Sequence, residues 1–345
     1  MTTTPPAGST GTTTPPATGG TGTGQAGTGD TGTTSGGIAG SDGTMMDGTM
    51  TDGTMMDGTD MGAAGSGADM DGTMMDDTMM DDTDMTDTGG GLPADHCLAG
   101  ITNYDSDGPF SFSRADSGRI KIWVPDVPAG CKVPVVHVAN GTGASCSFYN
   151  AAIERMASHG FITACYEDAN TGAGEQGLEA LMTVVSEHPD KADLRFGSTG
   201  HSQGGQASFV VLQYAEEQWG DEGIYAGLAM QPASGFGEQP TGGWQNVYSK
   251  IKSPMFMFSG QGSDGLVSQS WVQDAFDALS DDVEAYFWAK SGSSHFSPNG
   301  PQMEVSISWF RWKLLGDSMA CEYFKTVRDD PSWEEADVQN EAPCM

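Results

Sequence analysis

The first 113 residues contain no lysine and no arginine; the earliest basic side chain is Arg114. Along all 345 residues only 14 basic side chains stand against 47 acidic ones, a formal net charge of −33. Binding a phosphate backbone needs clustered Lys and Arg, so a nucleic-acid partner is excluded, and an anionic membrane surface is disfavoured for the same reason. No stretch reaches the ~20 apolar residues of a membrane span. None of the six cysteines falls in a Cys-x-x-Cys or mixed His/Cys zinc spacing, so neither a metal nor another cofactor is expected. The start, Met1 followed by Thr and Pro, has neither the basic region nor the apolar core of a secretory leader. If the protein is exported, its leader is absent from this sequence.

Aromatic residues and Leu, Ile and Val are also scarce, but only at the front. Up to about residue 92 the chain uses almost nothing but Gly, Thr, Asp, Met, Ala, Ser and Pro. Such a segment has too little to bury to offset the entropy of ordering its backbone. Residues 1–92 are therefore expected to be a disordered low-complexity tail, and 93–345 one α/β domain. The aspartates from Asp30 to Asp87 number 14 and have no basic partner, which leaves −19 for the rest. The tail repeats a unit such as Asp52-Gly53-Thr54-Met55-Met56. The unit drifts in length, which argues for a solvated linker or surface tether over a calcium-binding repeat with fixed ligand positions.

The cysteines, in contrast, all lie in the domain: Cys97, Cys131, Cys146, Cys165, Cys321 and Cys344. An even count behind a long Gly/Thr tail points to an oxidising compartment, hence a secreted, cell-surface or periplasmic protein. Many pairings are open. The pair expected is Cys321 with Cys344, which would pin the C-terminal tail to the last helix.

From about Leu92 the pattern turns globular. Strand-like runs fall at 119–124, 133–138, 161–166, 194–199, 225–230, 254–258 and 283–289. Helical spacing falls at 148–158, 177–185, 203–217, 268–279 and 303–315. The run 133–138 is β-branched, as a strand buried on both faces would be. Strands alternating with helices predict a mostly parallel sheet with helices on both faces.

The run that carries chemistry is Gly200-His201-Ser202-Gln203-Gly204-Gly205. It has the form Gly-x-Ser-x-Gly, after an expected strand and before an expected helix, which is the context of a nucleophile elbow. Side chains two residues either side of the serine would collide with strand and helix, hence the glycines. A serine hydroxyl needs a base to take its proton. His295 is the candidate: it lies after the last expected strand, whereas the other five histidines precede Ser202 or adjoin it. Asp264, the only carboxylate on the loop after 254–258, is the expected acid that holds the imidazole in one tautomer. One oxyanion donor is expected to be the Gln203 amide. The second is expected from the loop 139–143, with Thr142 the first choice and Gly141 next. The order Ser, acid, His is that of α/β hydrolases.

These segments resemble the bacterial cutinase-type polyester hydrolases, within the dienelactone-hydrolase-like branch of the α/β-hydrolase superfamily. The resemblance rests on Asp107-Gly108-Pro109-Phe110, Asn140-Gly141-Thr142, Ala157-Ser158-His159-Gly160-Phe161, the serine run, and Ser294-His295-Phe296-Ser297-Pro298-Asn299. It covers roughly 105–345 and none of the tail. It implies an α/β-hydrolase fold without a large lid, and a shallow groove for aliphatic or aromatic esters that extends to polyesters such as poly(ethylene terephthalate). It also implies a C-terminal disulfide. Gly141, His201, Phe296 and Phe236 are the residues expected to line the ester cleft. Two positions depart from the family: Thr142 stands where an aromatic is usual, and Ala233 follows Pro232 where tryptophan is usual. Phe236 or Trp244 would then have to supply the missing cleft wall.

The expected function is a serine carboxylic-ester hydrolase of cutinase or polyesterase type that works through an acyl-enzyme, as a monomer. Within that class the alternative is a carbohydrate (acetyl or feruloyl) esterase or a small-ester carboxylesterase. From a different class, the fold could serve as a non-catalytic binding module. Ser, Asp and His in the right order argue against that.

Overall fold

The computed structural model describes residues 91–171, 174–234, 240, 242–296 and 302–345. The segment expected to be a tail lies outside the described residues except at its last two positions, and Phe236 lies outside them too.

Nine strands form one sheet in the order β1-β2-β4-β3-β5-β6-β7-β8-β9. They are β1 (Phe112–Arg114), β2 (Ile120–Pro125), β3 (Val133–Ala139), β4 (Ile162–Tyr166), β5 (Ala192–His201), β6 (Ile224–Met230), β7 (Met255–Gly260), β8 (Ala285–Lys290) and β9 (Trp333–Gln339). The six central strands, β3 to β8, pair in parallel, and β1, β2 and β9 add antiparallel edges. Helices α1 (Asn150–Ser158), α2 (Glu175–Glu187), α3 (Gln203–Trp219), α4 (Trp244–Tyr248), α5 (Gln269–Asp277), α6 (Gln302–Leu315) and α7 (Ser318–Arg328) provide the crossovers.

The strand alternation decides which helix covers which face. On β7, Phe256 and Phe258 pack with α6 and α7, while Met255 and Met257 pack with α3, α4 and α5. On β3, Val136 and Val138 face α1, and Val133 and Val135 face α2. Helices therefore lie on both faces of a mostly parallel sheet. Because every parallel strand runs the same way, the loops after β3, β5, β6, β7 and β8 gather at one edge, where open α/β sheets hold their ligands.

Four elements were not expected. β1 has three residues and α4 five, too short for a periodic signal. Beyond 303–315, expected to be the last helix, the chain forms α7, capped by Asp317 accepting from the Ala320 amide at 3.2 Å. β9 is acidic, and a bulge at Ala336 breaks its alternation: Glu335 pairs with Trp288 but Asp337 with Phe287. Helix 148–158 is also split, its first turn being a 3-10 turn, Cys146–Tyr149.

All six cysteines pair: Cys97–Cys131, Cys146–Cys165 and Cys321–Cys344. The last bond joins α7 to the residues after β9 and so ties down the C-terminal strand. Among the described residues no helix is long and apolar enough to cross a membrane, and no group of three or more His, Cys, Asp and Glu is arranged to hold a metal ion.

Candidate active site

β5 runs straight into α3, and the turn between them is Ser202. Its backbone sits at φ 59° and ψ −121°, a region that costs a side-chain-bearing residue on the order of 1–3 kcal/mol. Three bonds hold it there: the Ser202 amide donates to the Met230 carbonyl at 3.0 Å, and its carbonyl accepts from the amides of Ala233 and Gln206, each at 3.2 Å. The flanking glycines are steric requirements. A Cβ on Gly204 would lie 2.2 Å from the Ala139 carbonyl oxygen, and one on Gly200 would lie 2.3 Å from the Gly204 carbonyl oxygen. Helix α3 is thus pressed onto the end of β3, with Ser202 at its N-cap.

Asp264 follows β7 and is buried. Its Oδ1 accepts from the amides of Leu266 and Val267 at 2.9 and 2.7 Å, which fixes the carboxylate plane. Its Oδ2 accepts from His295 Nδ1 at 2.8 Å. The backbones are tied as well, with the His295 amide donating to the Asp264 carbonyl at 3.0 Å. His295 is buried apart from a sliver, and its ring lies 4.6 Å, centroid to centroid, from that of His201. The loop that carries His295 therefore rests on the serine turn.

The loop after β3 is riveted by Asn140, whose Nδ2 donates to the carbonyls of Ala144 at 3.0 Å and Asp168 at 2.5 Å. A Cβ on Gly141 would lie 3.3 Å from the Ser202 Cβ, so this loop passes directly beside the serine. The Gly141 amide donates to the Tyr149 hydroxyl at 3.0 Å, and the Gly143 amide donates to the Ala169 carbonyl at 2.7 Å. The Thr142 amide between them has no partner among the described residues. That separates the two oxyanion candidates: Gly141 is engaged and Thr142 is not. Gln203 supplies the first amide of α3, a position with no intrahelical acceptor.

Of the residues expected to line the cleft, His201 is displaced inward. It is 4% exposed, and both ring nitrogens are bonded within the protein. Burial, with the neighbouring His295 adding to it, lowers its pKa to about 4. Trp244 is likewise buried, packed in the core under α3 and α5, and forms no cleft wall. Phe296 is 72% exposed beside His295. Residues missed by sequence reading are Tyr149, Gln231 and Asn170. Gln231 left one signal, the departure at 231–233; it stands at φ 49°, a second strained side-chain-bearing residue at this edge. Gln203 Oε1 accepts from the Thr142 hydroxyl at 2.9 Å, and its Nε2 donates to Asn170 Oδ1 at 2.5 Å, making a polar wall next to the serine.

The sequence matches no protein-family model, and no curated protein is similar to it.

Proposed function

We propose that the protein is a serine carboxylic-ester hydrolase of the α/β-hydrolase type, exported to an oxidising compartment. The observation that supports it most is the 2.8 Å bond from His295 Nδ1 to a buried Asp264 carboxylate, on a loop packed against a strained serine turn. In this reading Ser202 Oγ attacks the ester carbonyl carbon while its proton passes to His295 Nε2. The carbonyl oxygen turns toward the amides of Gln203 and Thr142, each such donor being worth about 3 kcal/mol in the transition state. The bond to the alcohol breaks, His295 returns its proton to the departing oxygen, and the acyl group stays on Ser202. Water then gives a proton to His295 and attacks the acyl carbon; the bond from that carbon to Ser202 Oγ breaks, His295 returns the proton to Oγ, and the acid leaves. Asp264 keeps the Nδ1–H tautomer throughout.

Two surfaces speak to the acyl and alcohol groups. Phe296, Leu266 and Phe148 are exposed apolar residues adjoining His295, Asp264 and Tyr149, and favour an apolar ester of the cutin or polyester kind. The polar wall of Thr142, Gln203 and Asn170 favours a hydroxylated substrate, and so a carbohydrate ester.

Hydrolysis of p-nitrophenyl esters of graded chain length, beside amorphous polyester film and acetylated xylan, tests the reading. Wild type should turn over the esters, and Ser202→Ala should lose on the order of 10⁶ in kcat. Equal turnover by the two proteins would sink the assignment of Ser202, and no turnover by wild type would leave a binding module. Preference for long chains and film would favour the polyesterase, and release from xylan the carbohydrate esterase.

A further inference from the structure

One hydrogen-bonded chain runs beneath the site and is used by none of the steps above. The Gly141 amide donates to the Tyr149 hydroxyl at 3.0 Å. The Tyr149 oxygen lies 2.9 Å from His201 Nδ1. His201 Nε2 lies 3.1 Å from Gln231 Oε1, and Gln231 Nε2 donates to the Ser294 carbonyl at 3.2 Å. Both Tyr149 and Gln231 are essentially inaccessible to solvent.

The direction of the chain is forced from its ends. A carbonyl can only accept, so the Gln231 amide nitrogen must face Ser294 and its oxygen must face His201. His201 Nε2 must then carry the hydrogen. At the other end a backbone amide can only donate, so the Tyr149 oxygen accepts from Gly141 and spends its own hydrogen on His201 Nδ1. Every donor meets an acceptor when His201 is neutral and protonated at Nε2. The opposite tautomer would set two hydrogens facing Tyr149 and leave Gln231 Oε1 without a donor.

The three backbone groups that the chain touches, directly or by sequence, share one property. Gly141 precedes Thr142, His201 precedes Ser202, and Ser294 precedes His295. Resting on the esterase reading above, we propose that Tyr149, His201 and Gln231 are positioning residues that set the oxyanion loop, the nucleophile turn and the base loop in one mutual register. The strain at Gln231, φ 49° with its amide donating to the Phe258 carbonyl at 2.8 Å, is the backbone arrangement that brings its side chain across to Ser294. The relay touches no reacting atom. It acts by removing slack between loops that come from three different strands.

The test uses Tyr149→Phe and Gln231→Leu, singly and together, in the full chain. Each removes a link and leaves the triad in place. Loss of register should lower kcat on p-nitrophenyl acetate by up to about 100-fold while KM stays within about threefold. Because the two residues serve one chain, the double variant should lose little more than the worse single one. Unchanged kcat, a loss confined to KM, or fully additive losses would overturn the proposal. A second measurement requires no turnover. Long-range proton–nitrogen correlation spectra of the histidine rings at neutral pH should show the His201 ring, assigned by its loss in His201→Gln, bare at Nδ1 and protonated at Nε2. The reverse tautomer would overturn the relay even in an active enzyme. A wild type that hydrolyses no ester is a different failure, that of the esterase reading, and it removes the relay's catalytic purpose with it.

Discussion

At the scale of single residues the most demanding position is Asp264. Its two oxygens have separate duties: Oδ1 shapes its own loop through the amides of Leu266 and Val267, and Oδ2 accepts the hydrogen bond from His295 Nδ1. Asp264→Asn can keep the first and not the second. With its oxygen on the loop amides, its NH2 faces His295 Nδ1, which must then become an acceptor, and the proton moves to the nitrogen that should face Ser202. The variant is therefore expected to fold with a melting temperature near that of wild type and to lose about 10⁴ in kcat. A loss under tenfold would show that Asp264 does not govern the tautomer.

At the scale of elements, the short turn Cys146–Tyr149 depends on its covalent tie. It has four residues and ends at the tyrosine that holds Gly141, and the Cys146–Cys165 bond fastens its start to β4 across 19 residues. Closing a loop of that size in the unfolded chain is worth about 3 kcal/mol. Replacing both cysteines by serine should lower the urea midpoint accordingly, and an unchanged midpoint would mean that packing alone fixes the turn. The same element shows where sequence reading succeeds and where it stops. The central strands were legible because burial on both faces leaves runs such as 133–138 nearly all apolar. The serine turn was legible because glycines there answer to backbone oxygens little more than 2 Å from where a Cβ would stand. Tyr149 was not, since a tyrosine on a helical face reads as core, and only the fold brings its hydroxyl to Gly141. Nor was β9, whose bulge and acidic residues erase the period of two. His201 looked like a cleft residue by its place in the motif. The sheet turns its ring inward, a direction that spacing along the chain does not encode.

At the scale of the whole molecule, buried imidazoles tie stability to pH. Burial holds His137, His159 and His201 at pKa values of about 4. In the unfolded chain each returns to its ordinary value of 6.5. Below that pH the unfolded state takes up protons that the native state refuses. The stability these rings carry is thus fully present above pH ~6.5 and lost progressively as the pH falls toward ~4, on the order of 3 kcal/mol per ring at the limit. Asp193 and Glu216, pushed up by burial, work in the opposite sense over the carboxylate range. At high salt, where the self-repulsion of a chain of −33 is screened, the urea midpoint should be lower at pH 5 than at pH 7.5. A flat or rising midpoint would mean that the imidazoles are already reached by water.

The two ends of the sheet have a consequence of another kind. A row of unpaired backbone groups is a template on which a second chain can crystallise strand by strand. One margin here is β1, three residues long. The other, β9, is interrupted by its bulge and carries Glu334, Glu335 and Asp337. A neighbour seeking to extend the sheet meets a ledge too short on one side, and a kinked, negatively charged one on the other. The folded molecule can therefore crowd against copies of itself without its sheets fusing into fibrils.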